Sequence, residues 1–506
     1  MKAIFVLLLT GSVIFCHAQK KTDPVLFANS IREENLQKHL YQIAGPDFEG
    51  RETATEGQRK AAVYIQTYFK SLGLAPGNRG SFQLPFPVYM DSTLNASITV
   101  NGDSFELYKD FDLQISAAHS ISFGSSEIVF AGYGISDSQR NDYKDLAVAG
   151  KIVLIRNGYP PGYLQSQIDK KKFNSFGKQD AAQQHGAAAL FIMKDSFTHK
   201  TFAENSPMYL NYFHSTIRPN SFFISEKMAM AIMGDDYIAA KNGNISSKTY
   251  TVNTLLSVRK DTKFLESTDV LGYLEGTDLK DQLLVISAHY DHLGKIGSVI
   301  YFGADDDGSG TVALLELAAA FAKAKEAGAG PRRSILFLAN SGEEKGLWGS
   351  EFYTNHPVYP LNKTTANLNI DMIGRMDPGR KQGDSNNYVY VVGDNKLSTD
   401  LRTINAGANK KYTKLELDYK FNDPKDPLKI YYRSDHFNFA KHGVPIIFYF
   451  DGIHHDYHQP GDTPDKINYD LLAKRARLVF YTAWEMANRK EMIKRNLPAV
   501  KEERKQ

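Results

Sequence analysis

The second half of the sequence places residues that can bind metal ions or transfer protons directly after short apolar runs. His289 follows such a run in "SAHYDH" (287–292), with Asp291 two residues later, and Asp371 closes another in "NIDMIG" (369–374). In α/β sheets, ligands bind beyond the carboxyl ends of the strands, so these positions are the first candidates for a site. Because a two-residue step in an extended chain returns to the same side, Asp291 can hold the ring of His289.

Two clusters of carboxylates add negative charge to the same part of the chain. The segment "GADDDGSG" (303–310) carries three consecutive aspartates between glycines, and "NSGEEKGLWGS" (340–350) carries Glu343 and Glu344 after an apolar run. Neighbouring carboxylates repel each other unless a cation neutralises them. Adjacent glutamates at the end of a strand can also face different partners, one a metal and the other a substrate. For the aspartates, a cation site and a solvated turn or helix N-cap both stay open at this point. The glutamate pair taken alone is more typical of the exposed first turn of a helix.

A third group of candidate ligands follows the last apolar run. The segment "DGIHHDYHQPGDTPDKI" (451–467) holds three histidines, His454, His455 and His458, together with several aspartates. Imidazole nitrogens and carboxylate oxygens are common zinc ligands in hydrolases.

Taken together and in this order, the four segments resemble peptidase family M28, a family of zinc peptidases. The resemblance implies a centre that holds two zinc ions. It makes His289 and Asp371 the terminal ligands of one ion and Glu344 and His458 those of the other, with Asp306 as the bridge. Each ion then has three protein ligands and an open position.

The same resemblance implies the remaining roles. Glu343 is the general base toward a water that the zinc pair activates, and Asp291 orients a ligand histidine. In some relatives a tyrosine placed like Tyr431 in "IYYRSDHFNF" (430–439) donates to the oxyanion, whereas others use the tyrosine before the last histidine, here Tyr457. The sequence leaves both tyrosines open.

Two ligand assignments depend on how the motifs align with the family. Asp305 and Asp307 compete with Asp306 for the role of bridge. His458 is preferred over the other two histidines of its segment because a tyrosine precedes it and "PGDT" follows shortly after.

The pattern of apolar runs predicts the fold. After residue 269, short apolar runs alternate with amphipathic segments, which predicts an α/β fold with a mostly parallel central sheet flanked by helices. The region 92–251 instead has β-like runs separated by turns, which predicts a smaller β-rich insertion. Within it, three segments resemble the protease-associated (PA) domain: "IVFAGYGI" (128–135), "DYKDLAVAGKIVLIRNG" (142–158) and "DAAQQHGAAALFIMKD" (180–195).

The first eighteen residues have the pattern of a secretory signal peptide. Lys2 precedes the apolar stretch 3–15, and Ala18 stands before a polar segment, as at a cleavage site. We expect cleavage after Ala18 and export to the periplasm or the medium. Cys16, the single cysteine of the chain, lies inside this stretch, and lipid attachment there is the alternative interpretation. The bulky residue before it fits that alternative poorly.

The predicted organisation has five parts. They are the signal peptide 1–18, an N-terminal part of the peptidase domain 19–91, the inserted region 92–251, the catalytic domain 252–489 and a charged, solvated tail 490–506. The formal net charge of +3 argues against a nucleic-acid or anionic-membrane partner, which needs a concentrated basic face. No later apolar run approaches the roughly 18 residues of a membrane span.

The sequence therefore predicts an exported, zinc-dependent aminopeptidase that acts on peptides. A carboxypeptidase or dipeptidase shares the metal centre, but such relatives usually carry an extra helical domain after the catalytic one, and here we expect only the segment from Tyr469 onward. A glutaminyl cyclase is a further alternative, but it works with a single zinc ion, whereas five ligand positions favour a pair. A non-catalytic receptor should have lost some of the ligands, and all five positions are intact. The preferred N-terminal residue and the oligomeric state do not follow from the motifs.

Overall fold

The computed structural model describes residues 23–113, 115, 118–163, 174–194, 205–210, 217–245 and 247–498. The predicted signal peptide, with Cys16, lies outside the described residues, as does the end of the predicted tail. The chain divides into two compact units. We call residues up to 86 together with those from 266 onward the main unit, and residues 87–265 the inserted unit.

The strands and helices are numbered in chain order over both units. The strands are β1 (Ala75–Pro76), β2 (Gln83–Val100), β3 (Asp103–Phe105), β4 (Phe111–Leu113), β5 (Ile121–Phe130), β6 (Ile152–Arg156), β7 (Ala189–Met193), β8 (Asn220–Ile224), β9 (Lys248–Leu274), β10 (Leu279–His289), β11 (Lys295–Ile296), β12 (Val299–Ile300), β13 (Arg333–Asn340), β14 (Thr364–Ile370), β15 (Tyr388–Val392), β16 (Glu416–Asp418) and β17 (Ile446–Phe450). The helices are α1 (Val25–Ala28), α2 (Glu33–Ile43), α3 (Glu56–Ser71), α4 (Ser175–Gln184), α5 (Glu226–Met233), α6 (Asp236–Lys241), α7 (Gly310–Glu326), α8 (Trp348–Asn355), α9 (Asp400–Ala408), α10 (His436–Lys441) and α11 (Tyr469–Asn488).

The sheet of the main unit is mostly parallel. Its strand order is β16-β15-β17-β14-β10-β13-β9. The four central strands β17, β14, β10 and β13 run parallel, while β9 is antiparallel to β13 and β15 is antiparallel to β17 but parallel to β16. The α/β fold with a mostly parallel sheet is therefore confirmed.

Two hydrophobic clusters cover the two faces of this sheet. Along β10, Leu284 and Ile286 belong to one cluster, whereas Leu283 and Val285 belong to the other. Successive side chains of a strand point to opposite faces, so a strand buried on both faces is a continuous apolar run. Helices α7 and α11 supply much of the first cluster.

The inserted unit contains a second group of parallel strands. Strands β5, β6, β7 and β8 are parallel in that order, β4 pairs antiparallel with β8, and β9 pairs antiparallel with β5. Alternate residues of β6 again enter separate clusters, with Ile152 and Leu154 in one and Val153 and Ile155 in the other. That this unit is a PA domain remains a prediction.

The limits of the inserted unit differ from the predicted range 92–251. The unit spans 87–265 because two long strands, β2 and β9, run through the places where the sequence changes in texture. A boundary inside a continuous strand leaves no turn residues to mark it.

The described part of the predicted tail, residues 490–498, lies against the main unit. Ile493 is buried, and Nη2 of Arg495 donates to the carbonyl oxygens of Leu361 and Thr364 at 2.6 and 2.7 Å. The charge of this segment predicted a solvated tail. Burial of Ile493 and the hydrogen bonds of Arg495 instead hold residues 490–498 against the main unit. Among the described residues, no helix is both long and apolar enough to cross a membrane.

Candidate metal centre

The candidate ligands lie at the carboxyl ends of adjacent parallel strands. His289 is the last residue of β10, Asp371 follows β14, and Glu343 and Glu344 come shortly after β13. Ser287 pairs with Asn369 and His289 with Asn340, so the three strands end at the same level of the sheet. The predicted placement of these residues at one edge of the sheet is what the structure shows.

The first donor group consists of His289, Asp306 and Asp371. Nε2 of His289 lies 3.3 Å from Oδ1 of Asp306 and 3.6 Å from Oδ1 of Asp371. All three side chains are buried, and Nε2 of His289 has no hydrogen-bond partner among the described residues. Two ligand atoms of a tetrahedral zinc ion lie about 3.3 Å apart, because each bond is about 2.0–2.1 Å long. The spacing of this group fits a zinc ion.

The second donor group shares Asp306. Nε2 of His458 lies 3.1 Å from Oδ2 of Asp306 and 3.1 Å from Oε2 of Glu344. Nε2 of His458 and Oδ2 of Asp306 make no hydrogen bond in the described part of the chain. The two oxygens of Asp306 thus face different histidines, which is the arrangement that a bridging carboxylate needs.

The three consecutive aspartates have different surroundings. Asp307 accepts hydrogen bonds from the backbone N–H groups of His289, Gly310 and Met372. Oδ1 of Asp305 accepts from the Gly374 N–H, and its Oδ2 lies 3.2 Å from Nε2 of His454. Asp306 alone of the three stands between the two donor groups. Asp307 therefore binds backbone N–H groups, and Asp305 binds a backbone N–H group and His454 of the neighbouring loop.

The other two histidines of the 451–467 segment point elsewhere. His454 is buried beside Asp305, and His455 is exposed. Of the three, the structure brings only His458 to Asp306 and Glu344.

Asp291 contacts His289 in a different way from the one predicted. Nδ1 of His289 is 3.1 Å from the backbone oxygen of Asp291 and 3.6 Å from its Oδ1. The carboxylate instead accepts from Oγ1 of Thr53 at 2.7 Å and from the N–H of Glu343 at 3.2 Å. Asp291 can thus orient His289 through its carbonyl group, while its carboxylate fixes the turn that presents Glu343.

The two candidate tyrosines lie in different surroundings. Tyr457 lines the cavity beside the donor groups, and its ring stacks on that of His458 with centroids 3.9 Å apart. Tyr431 does not line this cavity. Its ring is buried in the hydrophobic cluster that contains Leu283 and Val285, with edge-on contacts to His436 and Phe437. Residues 430–432 form a helical turn that directs the ring inward.

The cavity has a charged wall and an apolar wall. Its volume is about 350 Å³. Its lining residues are Asp306, Glu343, Asp371, Met372, Ile430, Arg433, Phe448, Phe450, Ile453 and Tyr457. A concave, largely apolar pocket with a few convergent polar groups is the usual form of a ligand site.

The buried carboxylates and histidines shift each other's pKa values. Burial raises the pKa of Glu343, and the nearby carboxylates of Glu344 and Asp371 raise it further. The pKa of Glu343 therefore stands well above its usual range. Burial would lower the pKa of His458, but the close carboxylates of Asp306 and Glu344 raise it to about 10. The neighbouring imidazoles of His289 and His458 hold the pKa of Asp306 well below its usual range despite its burial. The acidic groups therefore require positive charge, which protonated imidazoles or divalent cations can supply.

Sequence reasoning missed His292. This residue is fully buried, and its Nδ1 lies 2.8 Å from Oε1 of Glu344 and 4.0 Å from Oδ2 of Asp306. Neither ring nitrogen makes a hydrogen bond within the described residues. Gly303 leaves room for the ring, since a Cβ atom there would lie 2.4 Å from Cγ of His292. The available signal was a second histidine three residues after His289 at the end of the same strand.

Arg51 and Thr53, from the N-terminal part of the main unit, were also missed. The buried guanidinium of Arg51 donates to the carbonyl oxygens of Ile43, Tyr290, Phe302 and Gly303 at 2.7–2.9 Å. It thereby joins the turn after β10 to the loop that leads into the aspartates. No spacing in the sequence links residue 51 to residues 290–303, so only the fold reveals this role.

Comparison with known proteins finds a family that matches this part of the chain. Residues 269–483 match the description "Peptidase family M28". This part of the chain is similar to peptidase family M28. It contains every predicted ligand, with His289, Asp306, Glu344, Asp371 and His458 all inside the matched range.

Relatives in sequence include a protein described as a probable leucine aminopeptidase from Arthroderma otae. It is 31% identical over 214 residues, which are 41% of this chain and 55% of that protein. A probable zinc metalloprotease from Pyricularia oryzae is 27% identical, over 44% of this chain and 50% of its own length. A probable glutamate carboxypeptidase VP8 from Zea mays is 26% identical, over 49% of this chain and 36% of its own length. The chain thus spans about half or less of these relatives.

Solved structures resemble the chain over almost its whole length. The aminopeptidase from Aneurinibacillus sp. strain AM-1 matches with a TM-score of 0.53 and 19% identity, covering 95% of this chain and 99% of that one. The zinc aminopeptidase BSAP from Bacillus subtilis matches with a TM-score of 0.50 and 19% identity, covering 93% and 99%. At these identities the likeness concerns the fold.

Proposed function

We propose that the protein is a zinc-dependent aminopeptidase that hydrolyses the N-terminal residues of peptides. The observation that carries this proposal is the pair of donor groups that share Asp306 beside a cavity with one charged and one apolar wall. The similarity to peptidase family M28 and the relatives described as aminopeptidases and as a zinc metalloprotease support it.

Two zinc ions are the proposed cofactors. His289, Asp306 and Asp371 would hold one ion, and Asp306, Glu344 and His458 would hold the other. When bound, such a pair would polarise the scissile carbonyl and activate a water. The fit rests on nitrogen and oxygen donors at zinc-like spacing and on imidazole nitrogens that have no hydrogen-bond partner among the residues the structure describes.

Glu343 is the proposed general base. Its side chain is 11% exposed and lines the cavity, whereas that of Glu344 is 4% exposed and faces His458. Glu343 would accept a proton from the attacking water and return it to the departing amine. Asp291 supports this task by accepting the Glu343 N–H, which fixes the turn.

We assign Tyr457, rather than Tyr431, to the oxyanion. A donor can stabilise developing charge only if it reaches the cavity where the carbonyl reacts. Tyr457 lines that cavity, and its hydroxyl accepts from Arg433, which leaves the phenolic hydrogen free to donate. The carbonyl would then lie between Tyr457 and the two donor groups.

The apolar wall of the cavity would receive the side chain of the N-terminal residue. Ile430, Phe448 and Phe450 provide a surface suited to leucine-like residues. A carboxypeptidase is the second candidate, because the maize relative is described as one and because Arg433 brings a positive charge to the cavity.

A substrate screen tests the proposal. We expect hydrolysis of leucine amide and leucyl peptides, no hydrolysis of the same peptides after N-acetylation, and loss of activity with a zinc chelator that added zinc reverses. Cleavage of N-acetylated peptides with release of the C-terminal residue would replace the aminopeptidase with the carboxypeptidase. Activity that survives complete zinc removal would contradict both.

We further propose export after removal of residues 1–18. The support is the charged, apolar and small-residue pattern of that segment. N-terminal sequencing of the protein from the producing cells should give a mature chain that begins at Gln19. A chain that retains its apolar stretch would contradict export by this route.

A further inference from the structure

The cavity beside the metal centre contains a positive charge that the proposed reaction does not use. The carboxylates of its lining, Asp306, Glu343 and Asp371, all belong to the metal and proton-transfer groups. Arg433 lies in the same lining and has no part in either.

Arg433 has no acidic partner in the described part of the chain. Its Nη2 donates to the hydroxyl of Tyr457 at 2.9 Å, and its guanidinium carbon lies 5.8 Å from the centre of that ring. Other arginines of the main unit are paired, as Arg375 is with Asp456 at 3.0 Å and Arg380 with Glu416 at 2.6 Å. A guanidinium carries five N–H donors, so most of those of Arg433 remain available to a ligand.

Tyr457 sets the position of this charge. Its ring stacks on His458, and its hydroxyl accepts from Arg433, so one residue joins the guanidinium to the second donor group. Arg433 is an exposed residue, and this hydrogen bond directs its guanidinium toward the centre. A ligand group that meets it would be part of a molecule that also reaches the metal centre.

We propose that Arg433 forms a carboxylate-binding subsite of the cavity. This inference rests on the proposed peptidase function. The planar fork of a guanidinium matches a carboxylate, which it binds through two parallel hydrogen bonds. The carboxylate would be either the terminal group of a very short peptide or an acidic side chain of the substrate. The subsite would add a preference for acidic ligands to a cavity whose other charged residues are all carboxylates.

Equilibrium binding to the full-length, zinc-loaded Glu343→Gln protein tests this subsite, because that change should suppress cleavage. Titration calorimetry would compare Leu-Gly with Leu-Gly amide for the terminal carboxylate, and Glu-Gly amide with Gln-Gly amide for the side chain. We expect the acid of at least one pair to bind roughly tenfold to a hundredfold more tightly than its amide, as a charge-assisted hydrogen bond gives. The pair that shows the difference identifies the source of the carboxylate.

Adding Arg433→Gln should abolish that difference and leave the affinity for the amides unchanged. Arg433→Lys should keep part of it, because an ammonium retains the charge but not the fork. Lys425→Gln is the matched control, since it removes an exposed charge from the same stretch of chain outside the cavity lining and should change nothing. Equal binding of acids and amides with Arg433 present, or a preference that survives Arg433→Gln, would overturn the proposal.

The outcome is separable from that of the proposed function. A protein that releases C-terminal residues, and therefore is not an aminopeptidase, would still show the Arg433-dependent difference in binding. An aminopeptidase that binds both members of each pair equally would retain its proposed function and lose this subsite.

Discussion

The parallel strands of the two units have similar architecture and very different chemistry at their carboxyl ends. In the main unit, β10 and β14 lead into His289 and Asp371, whose neighbours are other ionisable groups. In the inserted unit, β6 ends at Arg156, which donates to the carbonyl oxygen of Lys241 at 2.5 Å and lies 4.4 Å from the Tyr133 ring centre.

The strand ends of the two units differ in whether their polar groups have hydrogen-bond partners. Lys178, packed under the end of β6, donates to the carbonyl oxygens of Arg156 and Gly158 at 2.9 and 2.7 Å. In the main unit, the Nε2 atoms of His289 and His458 are buried without partners in the described structure. The described part of the inserted unit contains no group of histidines and acids spaced for a metal ion. The carboxyl ends of parallel strands thus provide a position for a ligand site. Side chains there that lack hydrogen-bond partners distinguish the end that can bind a ligand from the end that cannot.

The sharpest test of this contrast is Glu343→Gln. The change keeps the shape of the side chain but removes the proton acceptor, so kcat should fall by roughly a hundredfold to ten-thousandfold while KM and zinc content stay similar. Glu344→Gln is the matched variant. It should lose zinc from one site, because a neutral amide is a poorer ligand, and excess zinc should restore part of the activity. If Glu343→Gln lost zinc and Glu344→Gln kept both ions, the two roles would have to be exchanged.

The next test concerns the histidines after β17. Elemental analysis of the purified protein should give about two zinc ions per chain, as two three-ligand sites imply. His458→Ala should reduce this to about one, because its ring faces Asp306 and Glu344. His454→Ala and His455→Ala are the controls and should retain both ions. Full zinc content in His458→Ala would remove this residue from the centre.

Much of this centre follows from sequence because its ligands directly follow buried strands. The short strand signals that precede His289 and Asp371 can be recognised without tertiary information, and the M28 resemblance then assigns the ligands. The choice among Asp305, Asp306 and Asp307, in contrast, does not follow from a local pattern. Adjacent identical carboxylates have the same intrinsic chemistry, and only the surrounding backbone amides show that Asp307 is structural.

The features that sequence did not reveal depend on distant parts of the chain. The turn that carries His292 is held by Arg51, about 240 residues earlier in a separate segment of the main unit. The direction of Tyr431 depends on a helical turn packed in the hydrophobic cluster. The borders of the inserted unit fall within long strands, where no turn signal exists. Each of these is set by tertiary packing rather than by local pattern.

His292 offers a smaller, more specific test of the metal edge. Its Nδ1 approaches Oε1 of Glu344, so it can orient that ligand or bind the ion beside it. His292→Asn should weaken zinc binding at the second site by roughly tenfold to a hundredfold, measured by competition with a chelator of known affinity. His39→Asn is the control, because His39 is a buried histidine of the same unit whose ring contacts the hydroxyl of Tyr64. Equal zinc affinity in the His292 variant and the wild type would make His292 a packing residue only.

The smallest effect is expected at the corresponding edge of the inserted unit. Arg156→Ala removes one charge-assisted hydrogen bond and one cation–π contact, which should cost about 1–2 kcal/mol in the free energy of unfolding. Because Arg156 faces a carbonyl and a ring rather than ionisable ligands, kcat/KM for leucine amide should stay within about twofold of the wild type, with zinc content unchanged. Thermal unfolding and limited proteolysis would report the lost stability, and a chromogenic leucine substrate would report the activity. A folded Arg156→Ala protein with a tenfold lower kcat/KM for leucine amide would show that the inserted unit takes part in the reaction, and the contrast between the two edges would then concern metal ligands alone.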